Sequence, residues 1–162
     1  MSKIVIRNGA LEDKKYLIEW LKEPNVLRWF PMCDDREIED AANLWVSYAK
    51  QKALLVAEVN NEAAGMINLY LSPYDKLNRQ ALFAVIVQEK FRSQGVGRRL
   101  IEEMMEKARE EFGLDLIHLE VYDGNPAIRL YERLGFERYG YHPNFIKWKN
   151  EYLGKILMQK KL

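Results

Sequence analysis

The stretch that most constrains this chain runs from Ala81 to Phe112, ALFAVIVQEKFRSQGVGRRLIEEMMEKAREEF. An apolar run of strand length, Leu82 to Val87, gives way to a polar loop and then to Gly95 and Gly97 at the mouth of a long amphipathic helix. The first turn of a helix leaves N–H groups without partners and carries the positive end of the macrodipole, and glycine lets a ligand come close to the backbone. A strand, a glycine turn and a helix start together make an anion site. The lysine-bearing phosphate loop needs G-x-x-x-x-G-K-[ST], and the dinucleotide fingerprint needs G-x-G-x-x-G. Here Gly95-Val96-Gly97 is followed by Arg98, Arg99 and Leu100, so neither is met. Cations in a first helical turn oppose the dipole unless an anion sits there, so Arg98 and Arg99 favour a bound phosphate.

Around this stretch the remaining elements follow from periodicity and punctuation. Ile4 to Ile6 is a short strand broken at Asn8-Gly9, and a helix over about Glu12 to Lys22 is closed by Pro24. Ile38, Ala41, Ala42, Trp45 and Ala49 form the stripe of a second helix running to about Lys52. Between the two helices Trp29 and Phe30 have two readings: they plug the gap, or they line a substrate cleft. Ala53–Val59 and Ala64–Leu71 are strands joined across Asn60-Asn61, with Gly65 a candidate bulge. In the helix after the glycines, Leu100, Ile101, Met104, Met105 and Ala108 face inward, and Glu103 and Lys107 form an i,i+4 pair. Gly113 ends that helix, Leu116–Tyr122 is a strand, and Asn125-Pro126 opens a short helix that Gly135 stops. A last hairpin joins Phe136–Trp148 to Tyr152–Gln159. The expected fold is a mixed α/β sheet of about seven strands and four helices, ordered β-α-α-β-β-β-α-β-α-β-β, in a single domain over residues 1–162.

Charge and cysteine content remove several functions. Lys plus Arg is 25 against Asp plus Glu 24, so no broad basic footprint marks a nucleic-acid or anionic-membrane partner. Cys33 stands alone, without the neighbours of a zinc ligand set or of an activated nucleophile, and His118 and His142 have no metal-site companions in the sequence. No signal-like apolar segment or membrane-span-length run is present, and the expected setting is the cytoplasm.

Arg92-Ser93-Gln94-Gly95-Val96-Gly97 resembles the R/Q-x-x-G-x-G/A pyrophosphate loop of the GNAT superfamily of N-acetyltransferases, and NPAIRLYERLGF at Asn125–Phe136 is similar to its second signature, N-x-x-A-x-x-L-Y-x-x-x-G-F. With two motifs in order the likeness covers nearly the whole chain and implies a GNAT-like acyl-CoA N-acyltransferase fold. It implies acetyl-coenzyme A as co-substrate, with Val85, Ile86 and Val87 along the pantetheine arm and the main chain from Arg92 to Arg98 on the pyrophosphate. Asn125 lies near that arm by the same likeness, although Pro126 alone separates it from Ala127, which also makes it a helix cap. Tyr131 matches the tyrosine that protonates the departing thiolate in many members; its other reading is one member of an apolar helix face. Glu120 stands where related protein N-terminal acetyltransferases carry a general base; its other reading is a solvated strand residue. The implied reaction is acetyl transfer to a primary amine of a small molecule or a protein by direct attack. A silent acyl-CoA-binding regulatory module is the alternative. Aromatic residues in the C-terminal hairpin allow a homodimer.

Overall fold

The computed structural model describes residues 2–162. Its strands are β1 (Ile4–Asn8), β2 (Leu54–Val59), β3 (Glu62–Tyr70), β4 (Gln80–Val87), β5 (Leu116–Tyr122), β6 (Glu137–Trp148) and β7 (Glu151–Lys161). They form one mixed sheet in the order β1-β2-β3-β4-β5-β7-β6. Every neighbouring pair is antiparallel except β4 and β5, which are parallel. The helix between those two strands is the crossover that a parallel step requires. β7 lies between β5 and β6, so the C-terminal hairpin returns its second strand to the sheet and leaves β6 as an edge.

The helices are α1 (Lys14–Leu21), α2 (Pro24–Leu27), α3 (Asp35–Ser47), α4 (Val96–Glu110) and α5 (Ile128–Arg133). Five helices stand where four were expected. Pro24 does not merely close the first helix: it opens α2, because a proline at the first helical position lacks only an N–H that would be unpaired anyway. The first expected helix is also divided, with a 3₁₀ turn at Leu11–Asp13 preceding α1. Helix α3 ends at Ser47 and continues as a 3₁₀ turn to Gln51. Its start follows capping chemistry, since Asp34 Oδ1 accepts from the Glu37 N–H at 2.8 Å and Glu37 Oε2 accepts from the Cys33 N–H at 2.6 Å.

Each face of the sheet carries its own core. Leu100, Ile101, Met104 and Ala108 of α4 pack on one face with Phe83, Tyr131 and Phe136. Leu17, Trp20 and Leu21 of α1, with Ile38, Ala42 and Trp45 of α3, cover Val56, Met66 and Ile86 on the other. Burial of each large side chain contributes about 1.5–3 kcal/mol. The Asn60-Asn61 turn holds φ of 51° and 68°, the mirror-image turn that matches strand twist. The bulge on β3 falls at Ala64, between the pairs Ala57–Gly65 and Glu58–Ala63, rather than at Gly65. Gly65 has another reason to be glycine: an added Cβ would lie 2.7 Å from the Ile86 carbonyl oxygen. The expected Glu103–Lys107 pair does not form, because Lys107 reaches Glu111 at 2.7 Å and Glu103 takes Arg99.

One buried carboxylate ties the N-terminus to the sheet. Asp13 receives two hydrogen bonds from the Arg7 guanidinium (2.8 and 2.9 Å) and one from the Ala10 N–H, while Arg7 Nε donates to Glu58 at 2.6 Å. Burial alone would raise the Asp13 carboxyl, and the Arg7 and Ala10 hydrogen bonds with the Arg7 charge outweigh it, holding the group below its ordinary value. A depressed carboxyl stabilises the fold above its unfolded pKa of about 3.9, and that contribution is lost as pH falls through the lower folded value. Asp13→Asn is expected to lower unfolding free energy by about 2 kcal/mol in urea at pH 7, since Arg7 keeps partial access to water. The deficit should shrink below about pH 4; a deficit independent of pH would exclude the ion pair as its cause.

Candidate active site

β4 and β5 pair only at Gln80–Leu82 with Leu116–His118. Yet β4 runs on to Val87 and β5 to Tyr122, so beyond Leu82 the two strands part. In an antiparallel pair successive residues turn their N–H and C=O groups to alternate sides. The Gln88 N–H donates to the Ala64 carbonyl at 2.9 Å, which assigns Ile86 and Ala84 to β3 and turns the backbone groups of Val85 and Val87 into the gap. Of the three apolar residues expected along the ligand, Ile86 therefore has its backbone engaged by β3. The gap holds a cavity of about 880 Å³, in the roughly 300–1,000 Å³ range of small-molecule sites.

At one end of the gap stands the N-terminus of α4. Ser93 and Gly95 have φ of 60° and 85°, and Gly95 is the cap of the helix, a left-handed position that glycine holds without strain. Among the described residues, the N–H groups of Gly95, Val96, Gly97 and Arg98 have no acceptor. They converge with the positive end of a helix of four turns, which suits an anion. A Cβ at Gly97 would reach only ordinary contact with Leu130 and Val87, at 3.4 and 3.6 Å, so core packing does not demand the glycine; it leaves room at the cavity wall.

The two arginines of this turn correct one expectation. Arg98 reaches Glu102 at 2.8 Å and Arg99 reaches Glu103 at 3.2 Å, so their charge against the dipole is offset one turn on and does not by itself call for a phosphate. Arg92 donates to the Asn25 carbonyl at 3.2 Å. Gln94 is the one expected site residue off the cavity wall; its side chain donates to the Lys90 carbonyl at 2.9 Å.

Tyr131 lines the same cavity from α5, its ring edge-on to Phe83 and Phe136 at 6.3 and 6.2 Å. Burial pushes its phenol far above the ordinary range, so it stays protonated and can donate. Asn125 also lines the wall, but its Oδ1 accepts from the Ala127 N–H at 2.9 Å. The helix itself begins at Ile128, so Asn125 closes a turn ahead of it instead of capping it directly. Glu120 is at the wall from β5, with Lys155 Nζ donating to its Oε2 at 3.0 Å. Trp29 and Phe30 both line the cavity, and Phe30 also packs on Trp45 at 6.1 Å.

The structure adds residues that periodicity did not single out. Leu44 is more than half exposed yet lines the cavity, next to Ala41 of the expected α3 stripe. The i,i+3 spacing of Ala41 and Leu44 was the available signal. Tyr70, Tyr122 and Arg133 join the wall from β3, β5 and α5. Cys33, Asp34 and Glu37 offer ligand atoms within 4.8 Å of one another, but they are exposed and already engaged in capping α3. Glu37 and Asp34 raise the Cys33 thiol above its ordinary range, against a nucleophilic role. His118 Nε2 lies 2.5 Å from Gln80 Oε1, and His142 packs on Phe145.

The model of the acetyltransferase (GNAT) family matches residues 14–136. The L-amino acid N-acetyltransferase AaaT of Escherichia coli is 24% identical, over 99% of both chains. An N-alpha-acetyltransferase of Sulfurisphaera tokodaii is 32% identical over 54% of this chain and 58% of its own. Among solved structures, a putative phosphinothricin N-acetyltransferase has the same fold with a TM-score of 0.87 at 20% identity, covering 99% of each chain. YncA of Salmonella typhimurium, a putative acetyltransferase solved with its cofactor acetyl-CoA, gives a TM-score of 0.81 at 23% identity, over 98% of this chain and 94% of that one. The parted strands, the glycine turn on α4 and the match from residue 14 to residue 136 agree: this chain belongs to the GNAT family of acetyltransferases.

Proposed function

We propose that the protein transfers an acetyl group from acetyl-coenzyme A to a primary amine of a small molecule, with both substrates bound together. The observation that carries this reading is the unpaired edge of β4, aligned with the unpartnered N–H groups of Gly95 to Arg98 in one cavity. Those N–H groups fit a pyrophosphate, and the backbone of Val85 and Val87 fits the amide-bearing arm. When bound, the coenzyme supplies an acyl thioester. The Val87 N–H donates to its carbonyl oxygen as charge develops there. Tyr131 holds a proton for the departing sulfur. Glu120, with one oxygen on Lys155, uses the other to take the proton of the attacking amine. Residues of α2 and α3 that wall the cavity together with Trp29 and Phe30 favour a small acceptor over a protein chain. We assign the reaction to the cytoplasm; the single free Cys33 agrees with a reducing compartment. No helix among the described residues is long and apolar enough to cross a membrane.

We further propose a homodimer through the β6–β7 hairpin. Tyr139, Tyr141, Phe145, Trp148 and Tyr152 are all large, apolar and exposed there.

Three measurements test these proposals. Tyr131→Phe should lower kcat by about 10²-fold in a thiol-release assay, with KM for acetyl-coenzyme A little changed. Because burial raises the phenol, the wild-type donor stays protonated up to at least about pH 10, so Tyr131 sets no alkaline limb below that value; full activity of the Phe variant at every pH would remove the acid role. Glu120→Gln should reduce kcat/KM for the amine by about 10²-fold, whereas a solvated Glu120 predicts no loss. Acetyl-coenzyme A binding without turnover of any amine would instead favour the regulatory module. In sedimentation the protein should show twice the 19.2 kDa chain mass, and Trp148→Glu with Tyr152→Glu should yield the single chain; a monomeric wild type at micromolar concentration would exclude the dimer.

A further inference from the structure

The acceptor's chemistry can be read from the arm of the cavity beneath α2 and α3, given the acetyl-transfer reading above. Side chains of β4 alternate across the sheet: Phe83, Val85 and Val87 join the core with α4 and α5, and Ala84 and Ile86 join the core with α1 and α3. The cavity touches both sets, so it passes through the parted sheet from the glycine turn to the α3 face. On the α3 face its wall includes Trp29, Phe30, Met32, Leu44, Trp45 and Tyr70. None of these carries a charge, and burial pushes the Tyr70 phenol up, so it too stays neutral.

Three of the charged residues at the wall are arginines, and Glu120 alternates with Leu119 and Val121 of the α4-side core, which puts it on the α3 face. Arg92, Arg98 and Arg133 belong to the glycine loop, α4 and α5. Glu120 is the single acid among the described wall residues, and Lys155 already engages it. The aromatic faces are partly taken as well: the Arg28 guanidinium sits 4.5 Å over the Trp29 ring, and Phe30 and Trp45 tilt against each other at 47°. A second ammonium placed deep in this arm would give up its water and find no carboxylate beyond Glu120, which Lys155 and the attacking amine already engage, and no open aromatic cage. An apolar group there gains burial, and the same dry surroundings favour the neutral amine that must attack.

We infer that the acceptor is a monoamine carried on an apolar body of about aromatic size, and that amines with a second cation, such as polyamines and aminoglycosides, are rejected. Two sources share this chemistry, an apolar amino acid and an arylalkylamine. The test compares kcat/KM for L-phenylalanine, phenethylamine, spermidine and kanamycin, alongside calorimetric titration of each amine into protein saturated with coenzyme A. The better of the first two should exceed spermidine and kanamycin by about 100-fold, and which one leads tells amino acid from arylalkylamine. Leu44→Glu, a change at an exposed position that spares the core, should raise spermidine relative to phenethylamine by about 10-fold. Wild-type preference for spermidine or kanamycin in turnover would overturn the inference while leaving acetyl transfer intact. Were no amine turned over, the calorimetric order would decide: tighter phenethylamine keeps the assignment of the arm, and tighter spermidine removes it.

Discussion

The site depends on a disagreement in length and direction between two neighbouring strands. β4 and β5 share only a short parallel ladder at Gln80–Leu82, and beyond it each is paired along its other edge alone. β4 keeps β3 through to Val87 and β5 keeps β7 through to Tyr122, both antiparallel. Parallel pairing is the slightly weaker of the two, so the sheet opens there rather than at its antiparallel seams. An open seam would ordinarily leave backbone polar groups at a cost. Here the seam lies beside the N-terminus of α4, and both sets of unmet groups face one cavity.

That single opening organises the rest. The core under α4 and α5 fixes where the helix N-terminus and Tyr131 stand. The core under α1 and α3 holds a largely aromatic wall opposite. Because the two cores lie on opposite faces of the sheet, the cavity has chemically distinct ends, one rich in N–H donors and arginines and one aromatic. A ligand with a charged tail and a reactive, less polar head matches that polarity, as does a second substrate approaching from the far face.

Much of this architecture was legible because local chemistry and tertiary demand agreed. Gly95 was read at the mouth of a helix, the two asparagines as a hairpin turn, and helical stripes marked α3 and α4; each signal is short-range and was met. What escaped was set by partners distant in sequence. Pro24 looked like a stop alone and is also a start, opening a second helix whose Val26 is buried in the core under α1 and α3. Arg98 and Arg99 are the local exception: they looked unbalanced because Glu102 and Glu103, one turn on, were not weighed as their partners. The parting of β4 from β5 cannot be read from either strand, since Leu82–Val87 gives the same apolar pattern whether or not a neighbour follows it. Leu44 escaped for the same reason: an exposed leucine is ordinary until a cavity is found beside it.

The central claim is that main-chain amides at the open seam and at the start of α4 grip the coenzyme. Residue-resolved amide hydrogen exchange, with and without acetyl-coenzyme A, addresses it directly. The account predicts slowed exchange at Val87 and at Gly95 through Arg98, with the amides of Ile86 and Gln88, already bonded to β3, unchanged. Binding that left the exchange of Val87 and the Gly95–Arg98 turn untouched would contradict it.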